Sequence, residues 1–219
     1  MSWEEEKREV LEACRRIVAA GLVAGASGNV SRRVEGPDGA PLVAITASRV
    51  PYHRLTADDV LVIDFEGDPV QGDGVPSSET LAHLAVYSAR ADVGAVIHTH
   101  SIHASALAVA GLEIPPLLDE QVVILGGAVP VAEYAMAGSQ ELADNACAAL
   151  GEGNAVLLRN HGALGVGADL EEAASVCELV ERLAQVYVLA LGLGKVTPLP
   201  EHVVEAEKKI FRMSRGWLE

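Results

Sequence analysis

Val93-Gly94-Ala95-Val96-Ile97-His98-Thr99-His100 sets the frame for the rest of the chain. Its apolar, β-branched run carries no charge until the histidines. Such a run reads as a strand buried on both faces, Val93–His98, with helices over the sheet. It runs into a short apolar helix, Ile102–Ala110. Side chains alternate along a strand, so His98 and His100 share a face and Thr99 takes the other. A second apolar strand, Ala155–Arg159, leads to another histidine in Leu157-Leu158-Arg159-Asn160-His161-Gly162.

Outward from these two strands, helical and strand-like segments alternate. A first helix begins at a capping box of Ser2 and Glu5, buries Val10, Leu11, Cys14, Ile17 and Val18, and ends at Gly21. Asn29–Arg33, Leu42–Thr46 and Val60–Asp64 read as strands, and Gly67–Gly74 as turn chemistry. A serine-capped helix spans about Ser78–Ala89, Val122–Leu125 and Val129–Val131 are strand-like, and Gly138–Leu150 is helical. The longest helix, Leu170–Leu191, has Asp169 as its cap, Glu172 at N3, and a stripe of Ala173, Val176, Val180, Leu183, Tyr187 and Leu191. An amphipathic helix from about Glu201 to Met213 follows. Helices interspersed with strands imply a layered α/β domain. No repeat or linker divides the chain, so one domain over residues 1–219 is expected.

Composition narrows the function. The 219 residues are 50% apolar and carry 16 Lys plus Arg against 31 Asp plus Glu, a net charge of −15. That balance argues against a nucleic-acid partner and against an anionic membrane surface. Cys14, Cys147 and Cys177 are odd in number and widely spaced, as reduced thiols are. The first six residues lack a basic segment followed by an apolar run, so no signal peptide is expected. Uncharged apolar stretches such as Gln121–Ala132 fall short of the ~20 residues that cross a bilayer. A soluble, cytoplasmic protein is the expectation.

Two constellations suggest chemistry. His98, His100 and His161 would leave an open position on a zinc ion, as catalytic sites do. Glu79, in Pro76-Ser77-Ser78-Glu79, is a candidate fourth group at a helix start. His103 is an alternative third ligand, and Glu79 and His83 stand at i and i+4 on one helix face. Spacing alone does not choose between these sets, while His53 and His202 read as surface residues. The second constellation suits an anion. Gly25-Ala26-Ser27-Gly28-Asn29-Val30-Ser31 is a small-residue turn that lets backbone N–H groups approach a ligand. Ile45-Thr46-Ala47-Ser48-Arg49 is a hydroxyl-rich strand exit with a cation. Ser77-Ser78 lies at a helix N-terminus, where free N–H groups favour phosphate. Taken singly, each reads as a plain turn, strand end or cap. Neither a P-loop, a GxGxxG fingerprint nor a GxSxG elbow is present.

Together, Gly28-Asn29-Val30-Ser31, Ile45–Tyr52, Pro76–Glu79, His98-Thr99-His100-Ser101 and Asn160-His161-Gly162 resemble the class II aldolase/adducin family, and within it the fuculose-phosphate aldolase group. The resemblance covers roughly residues 5–195. It implies a three-layer α/β/α fold with a central, largely antiparallel sheet, and a C4 homotetramer with active sites at subunit interfaces. It implies a metal on His98, His100 and His161. Zn2+ is argued from the three imidazoles alone, and Mn2+ or Co2+ are alternatives. Glu79 becomes the catalytic, also metal-binding, carboxylate. The phosphate site falls on Gly28, Asn29, Ser48, Arg49, Ser77 and Ser78, which leaves His83 and His103 structural.

The implied reaction is reversible cleavage of a ketose 1-phosphate, either L-fuculose 1-phosphate-like or a 5-deoxypentulose 1-phosphate. The products are dihydroxyacetone phosphate and a small aldehyde. Epimerases, dehydratases and decarboxylases of phosphorylated sugars in the family share the same site, and an adducin-like scaffold should lack the metal histidines. Three departures stand out. Arg49 occupies a position usually Gly. Asp119, beside Glu120, replaces a mid-chain tyrosine. The tail Phe211–Trp217 has no tyrosine to match one in the family's C-terminal tail. Asp119 or Glu120 is therefore the candidate for the proton on the aldehyde side.

Overall fold

The structure, a computed structural model, describes residues 3–218. Its helices are α1 (Glu4–Ala19), α2 (Thr80–Ala89), α3 (Ile102–Ala110), α4 (Asp119–Leu125), α5 (Gln140–Leu150), α6 (Leu170–Gly192) and α7 (Glu201–Ser214). Its strands are β1 (Asn29–Glu35), β2 (Pro41–Thr46), β3 (Val60–Ile63), β4 (Pro69–Gln71), β5 (Ala95–Thr99), β6 (Val131–Ala132), β7 (Ala155–Leu158) and β8 (Gly162–Gly167). They form one eight-stranded sheet in the order β4-β3-β2-β1-β5-β8-β7-β6.

The sheet is mixed. The β6–β7 pairing is parallel, Val131 opposite Leu157, whereas the other pairings among the described residues are antiparallel. The expected largely antiparallel sheet is thus a mixed one, through this single parallel pairing at its β6 edge. The parallel pairing follows from the connection between the two strands: α5 lies between β6 and β7 in sequence and packs on both, the crossover a parallel pair requires.

Alternation sends each strand's side chains to two cores. Val43, Ile45, Leu61, Ile63, Val96, Val156, Leu164 and Val166 pack with α2 and α5. Ala44, Val60, Val62, Ala95 and Ile97 pack with α1 and the start of α6, while Ala155, Leu157 and Ala163 meet α3 and the middle of α6. Helices thus lie against both faces of the sheet, and β5 runs through its centre.

Several elements differ from their sequence reading. The predicted cap Ser2 lies outside the described residues, and α1 starts after Trp3, which makes no side-chain cap. Val18, expected in the core, is 43% exposed. Val122–Leu125 is not a strand but the end of α4, closed by Gly126 in a left-handed conformation. Val129 makes only an isolated bridge to Ile114, and the strand beside it is Val131–Ala132. The Gly67–Gly74 turn contains the short edge strand β4. Strand β8 had no clear signal in its Gly-Ala-Leu-Gly-Val-Gly sequence. In the long helix, Leu191 is exposed rather than buried. Cys14, Cys147 and Cys177 are all free thiols. No helix of the described residues is long and apolar enough to cross a membrane.

Candidate metal centre and anion cleft

The centre is built where three strands end. His98 sits on β5, paired with Asn29 of β1 on one side and Leu164 of β8 on the other. His100 follows immediately after the strand. His161 occupies the turn between β7 and β8, which Asn160 makes possible by adopting a left-handed φ of 57°, a conformation Asn tolerates well. Glu79 holds the N-cap position of α2 and points back over the strand ends.

The four side chains converge. The Nε2 atoms of His98 and His100 are 2.8 Å apart. Glu79 places Oε1 2.8 Å from His161 Nε2 and Oε2 3.3 Å from His98 Nε2. One ligand nitrogen from each histidine lies within 4.8 Å of those of the other two. The Nδ1–H of His98 donates to the Ala163 carbonyl at 2.9 Å, which leaves Nε2 as a lone-pair donor. Two imidazole nitrogens this close need either a shared proton or a shared cation. Three imidazoles and one carboxylate form the donor set that suits Zn2+ or a neighbouring first-row divalent ion, so the residues fit such a group.

Electrostatics keeps the donors in their ligating forms. Burial pushes His98 down to about 4 against the pull of Glu79 and the Ala163 carbonyl, with the neighbouring imidazoles adding to the shift. Burial and His161 lower His100 as well. Burial works to raise the Glu79 carboxyl, but His98, His161 and the Asn29 amide hold it well below the ordinary carboxylate range.

A cleft of about 150 Å³ opens beside these ligands. Its walls include Gly28, Asn29, Ser48, Arg49, Ser77, Ser78, Glu79, His100 and His161. The six candidate phosphate residues and the candidate ligands are therefore brought together in one chain. Gly28 has φ +83°, and a Cβ there would stand 2.6 Å from the His98 carbonyl, so the turn can approach β5 only as glycine. Asn29 Nδ2–H donates to Glu79 Oε2 at 2.6 Å. Ser77 Oγ accepts from the Glu79 N–H at 3.3 Å, just before the start of α2. Arg49 is exposed at φ +64° and forms no ion pair among the described residues.

Other expected residues lie elsewhere. His83 bonds Ser31 Oγ through Nδ1 at 2.7 Å, and His103 bonds Glu181 at 2.7 Å, so neither joins the ligand cluster. Asp119 and Glu120 start α4, away from the cleft. Asp119 faces Glu207 of α7, and Glu120 lies 3.1 Å from Arg182 of α6. The tail folds onto its own chain: the Arg90 guanidinium covers the Trp217 ring at 5.1 Å, and Arg215 pairs with Glu172 at 2.6 Å. Arg90 ends α2, so the tail packs at the opposite end of that helix from Glu79. The sequence reading did not name Ser27 as a site residue. It lines the cleft and is fixed by its hydroxyl donating to the Ala24 carbonyl at 2.6 Å.

Known proteins resemble this chain along most of its length. The family described as class II aldolase and adducin N-terminal domain matches residues 8–188. A 5-deoxy-D-ribulose 1-phosphate aldolase from Bacillus thuringiensis serovar kurstaki is 33% identical over 213 residues, 96% of this chain and 97% of that one. The L-fuculose phosphate aldolase of Escherichia coli K12 is 34% identical over 192 residues, 88% and 86% of the two chains. A solved L-fuculose 1-phosphate aldolase superposes with a TM-score of 0.90 at 34% identity, covering 97% of this chain and 98% of its own.

Proposed function

The chain belongs to the class II aldolase and adducin family, and from that footing we propose that it reversibly cleaves a ketose 1-phosphate into dihydroxyacetone phosphate and a small aldehyde. The observation that carries the proposal is the convergence of three imidazoles and Glu79 at the rim of the serine- and glycine-lined cleft. An adducin-like scaffold has no use for that arrangement. The substrate is L-fuculose 1-phosphate-like or a 5-deoxypentulose 1-phosphate. The acidic pair Asp119-Glu120 and the name carried by the Bacillus relative support the second.

His98, His100 and His161 hold the ion, with Glu79 as a fourth donor; zinc is the first choice, and manganese or cobalt are alternatives. When bound, it supplies Lewis-acid polarisation of the substrate carbonyl. Gly28, Asn29, Ser48, Ser77 and Ser78 receive the phosphate through hydroxyl, amide and N–H groups at the start of α2, and Arg49 adds a charge-assisted contact. Anchoring the phosphate fixes where the carbonyl and its neighbouring carbons lie.

Cleavage breaks the bond between C3 and C4. The C4 hydroxyl loses its proton and becomes the aldehyde. C3 gains a proton and becomes the hydroxymethyl carbon of dihydroxyacetone phosphate. Glu79 delivers that proton, and in the condensation direction its carboxylate removes it. Asp119 or Glu120 of a neighbouring protomer handles the hydroxyl proton, because within one chain neither lines the cleft. A C4 homotetramer with sites at subunit interfaces meets that need. Residues 1–219 act as one cytoplasmic domain of three-layer α/β/α build.

A retro-aldol screen against phosphorylated ketoses, reading dihydroxyacetone phosphate release together with metal content, tests the proposal. We expect release from one of the two substrate classes and about one divalent ion per chain. Release from none, with turnover of a pentulose 5-phosphate instead, would point to the epimerase chemistry and overturn it.

A further inference from the structure

Behind Glu79 the interface between α2 and β1 is polar where an apolar contact is the rule. Glu79, His83 and Tyr87 step along the helix at i, i+4 and i+8, about 6 Å per step. Asn29, Ser31 and Arg33 step along one face of β1, roughly 6.6 Å per step. The two rows therefore stay in register. Asn29 Nδ2–H donates to Glu79 at 2.6 Å, Ser31 Oγ lies 2.7 Å from His83 Nδ1 and 2.8 Å from Tyr87 Oη, and Arg33 donates to the Tyr87 carbonyl. Ser31 and His83 are both 0% exposed.

Burying so many polar groups under a sheet is costly unless each is satisfied. Two buried side-chain atoms of these rows have no protein partner: Asn29 Oδ1 and His83 Nε2, on adjacent rungs. Their chemistry decides the direction of every bond between the rows. The Glu79 carboxylate accepts only, so the Asn29 amide N–H must face it and Oδ1 must face away. Oδ1 is then an acceptor in need of a donor. If His83 carried its proton on Nδ1, its Nε2 would be a second buried acceptor without a donor, on the rung next to the first. If the proton is on Nε2, donor and acceptor are complementary, and Ser31 O–H is free to donate to Nδ1.

We propose that Tyr87, Ser31 and His83 are positioning residues that form a one-way hydrogen-bond chain ending on Glu79. Tyr87 O–H donates to Ser31 Oγ, and Ser31 O–H to His83 Nδ1. His83 Nε2–H donates through one buried water to Asn29 Oδ1, and Asn29 N–H to Glu79 Oε2. Donors aligned in one direction polarise one another. Tyr87, Ser31 and His83 thus fix, through Asn29, the orientation of the carboxylate that moves the proton, without themselves touching substrate. The proposal rests on the role given to Glu79 above.

Two measurements test it on the metal-loaded full chain. The first is the tautomer of His83, read from long-range 15N–1H correlations and assigned by loss of its signals in His83→Gln. We expect Nε2–H; the Nδ1–H tautomer would overturn the chain. The second is exchange of the hydroxymethyl proton of dihydroxyacetone phosphate with deuterated solvent in Tyr87→Phe and Ser31→Ala. We expect kcat to fall about tenfold, the scale of losses behind metal ligands, with KM and metal content within about twofold of the parent. Unchanged kcat in the variants that fold would overturn the positioning role. A parent protein that exchanges no proton would refute the role of Glu79 instead, and the tautomer then decides the chain by itself.

Discussion

Arg49→Gly should make the protein more stable and a worse binder of its substrate. Arg49 has φ +64°, a left-handed conformation that costs an ordinary L-residue about 1–2 kcal/mol. Glycine adopts it freely, but gives back roughly 0.5–1 kcal/mol through the greater freedom of the unfolded chain. The net gain is therefore about 1 kcal/mol, which for a chain of this size is a rise in Tm of about 2–4 °C. On the functional side, a charge-assisted hydrogen bond to phosphate is worth about 1.5–3 kcal/mol. The exposed position of Arg49 calls for a discount, leaving about 1 kcal/mol, or roughly a fivefold rise in KM with little change in kcat. Calorimetry and initial-rate kinetics on the purified variant check both halves. A fall in Tm would refute the strain argument. A KM equal to the parent's would show that the guanidinium does not meet the phosphate. Both changes together would mean that the chain tolerates a strained backbone in order to hold a cation at the mouth of the cleft.

Glu79→Gln should keep its divalent ion, since three imidazoles remain, and lose about 10²–10⁴ in turnover; full activity by the dihydroxyacetone phosphate release assay would refute the role of Glu79. In the metal-free protein, His83 is held down to about 3, chiefly by burial. The unfolded chain therefore takes up that proton first as pH falls through about 6.5, so the stabilisation is complete above that pH and is lost progressively below it. His83 alone should cost about 2 kcal/mol by pH 5, and urea titrations at pH 7 and pH 5 that coincide would contradict its neutral burial. Mixing Glu79→Gln chains with chains doubly substituted Asp119→Asn and Glu120→Gln, through a cycle of unfolding and refolding, should restore activity that neither parent has. No recovery would exclude a site shared between protomers.

The legible parts of the sequence were those governed by local periodicity. The alternation in Val96–His100 placed both histidines on one face, whereas the apolar run before His161 made it only one candidate for the third, with His103 equally open until the family resemblance chose between them. The turn residues Gly28 and Asn29 and the serines before Glu79 could be read as anion-binding candidates, although only the fold places them in one cleft. Strand β8 was obscured by glycine, which has low strand propensity. Packing explains the residue: a Cβ on Gly165 would stand 2.6 Å from Cys177 Sγ on α6, so a side chain there would push the helix off the sheet. Val122–Leu125 misled because a short apolar run is compatible with either a strand or a buried helix turn. The partner of a buried polar residue was beyond reach for another reason. That Ser31 meets His83 depends on how α2 lies across β1, and their separation of 52 positions carries no periodic signal.

Strand β5 is held on both edges, by β1 on one side and β8 on the other. A slip of one residue along either neighbour would turn His98 to the opposite face of the sheet. It would also carry Asn29 or the Ala163 carbonyl out of reach. The centre can thus be assembled from only one alignment of the strands, and any chain that captures its ion has by that act been proofread. Metal uptake reports on the quality of folding as well as on readiness for catalysis, and misaligned chains identify themselves by remaining empty.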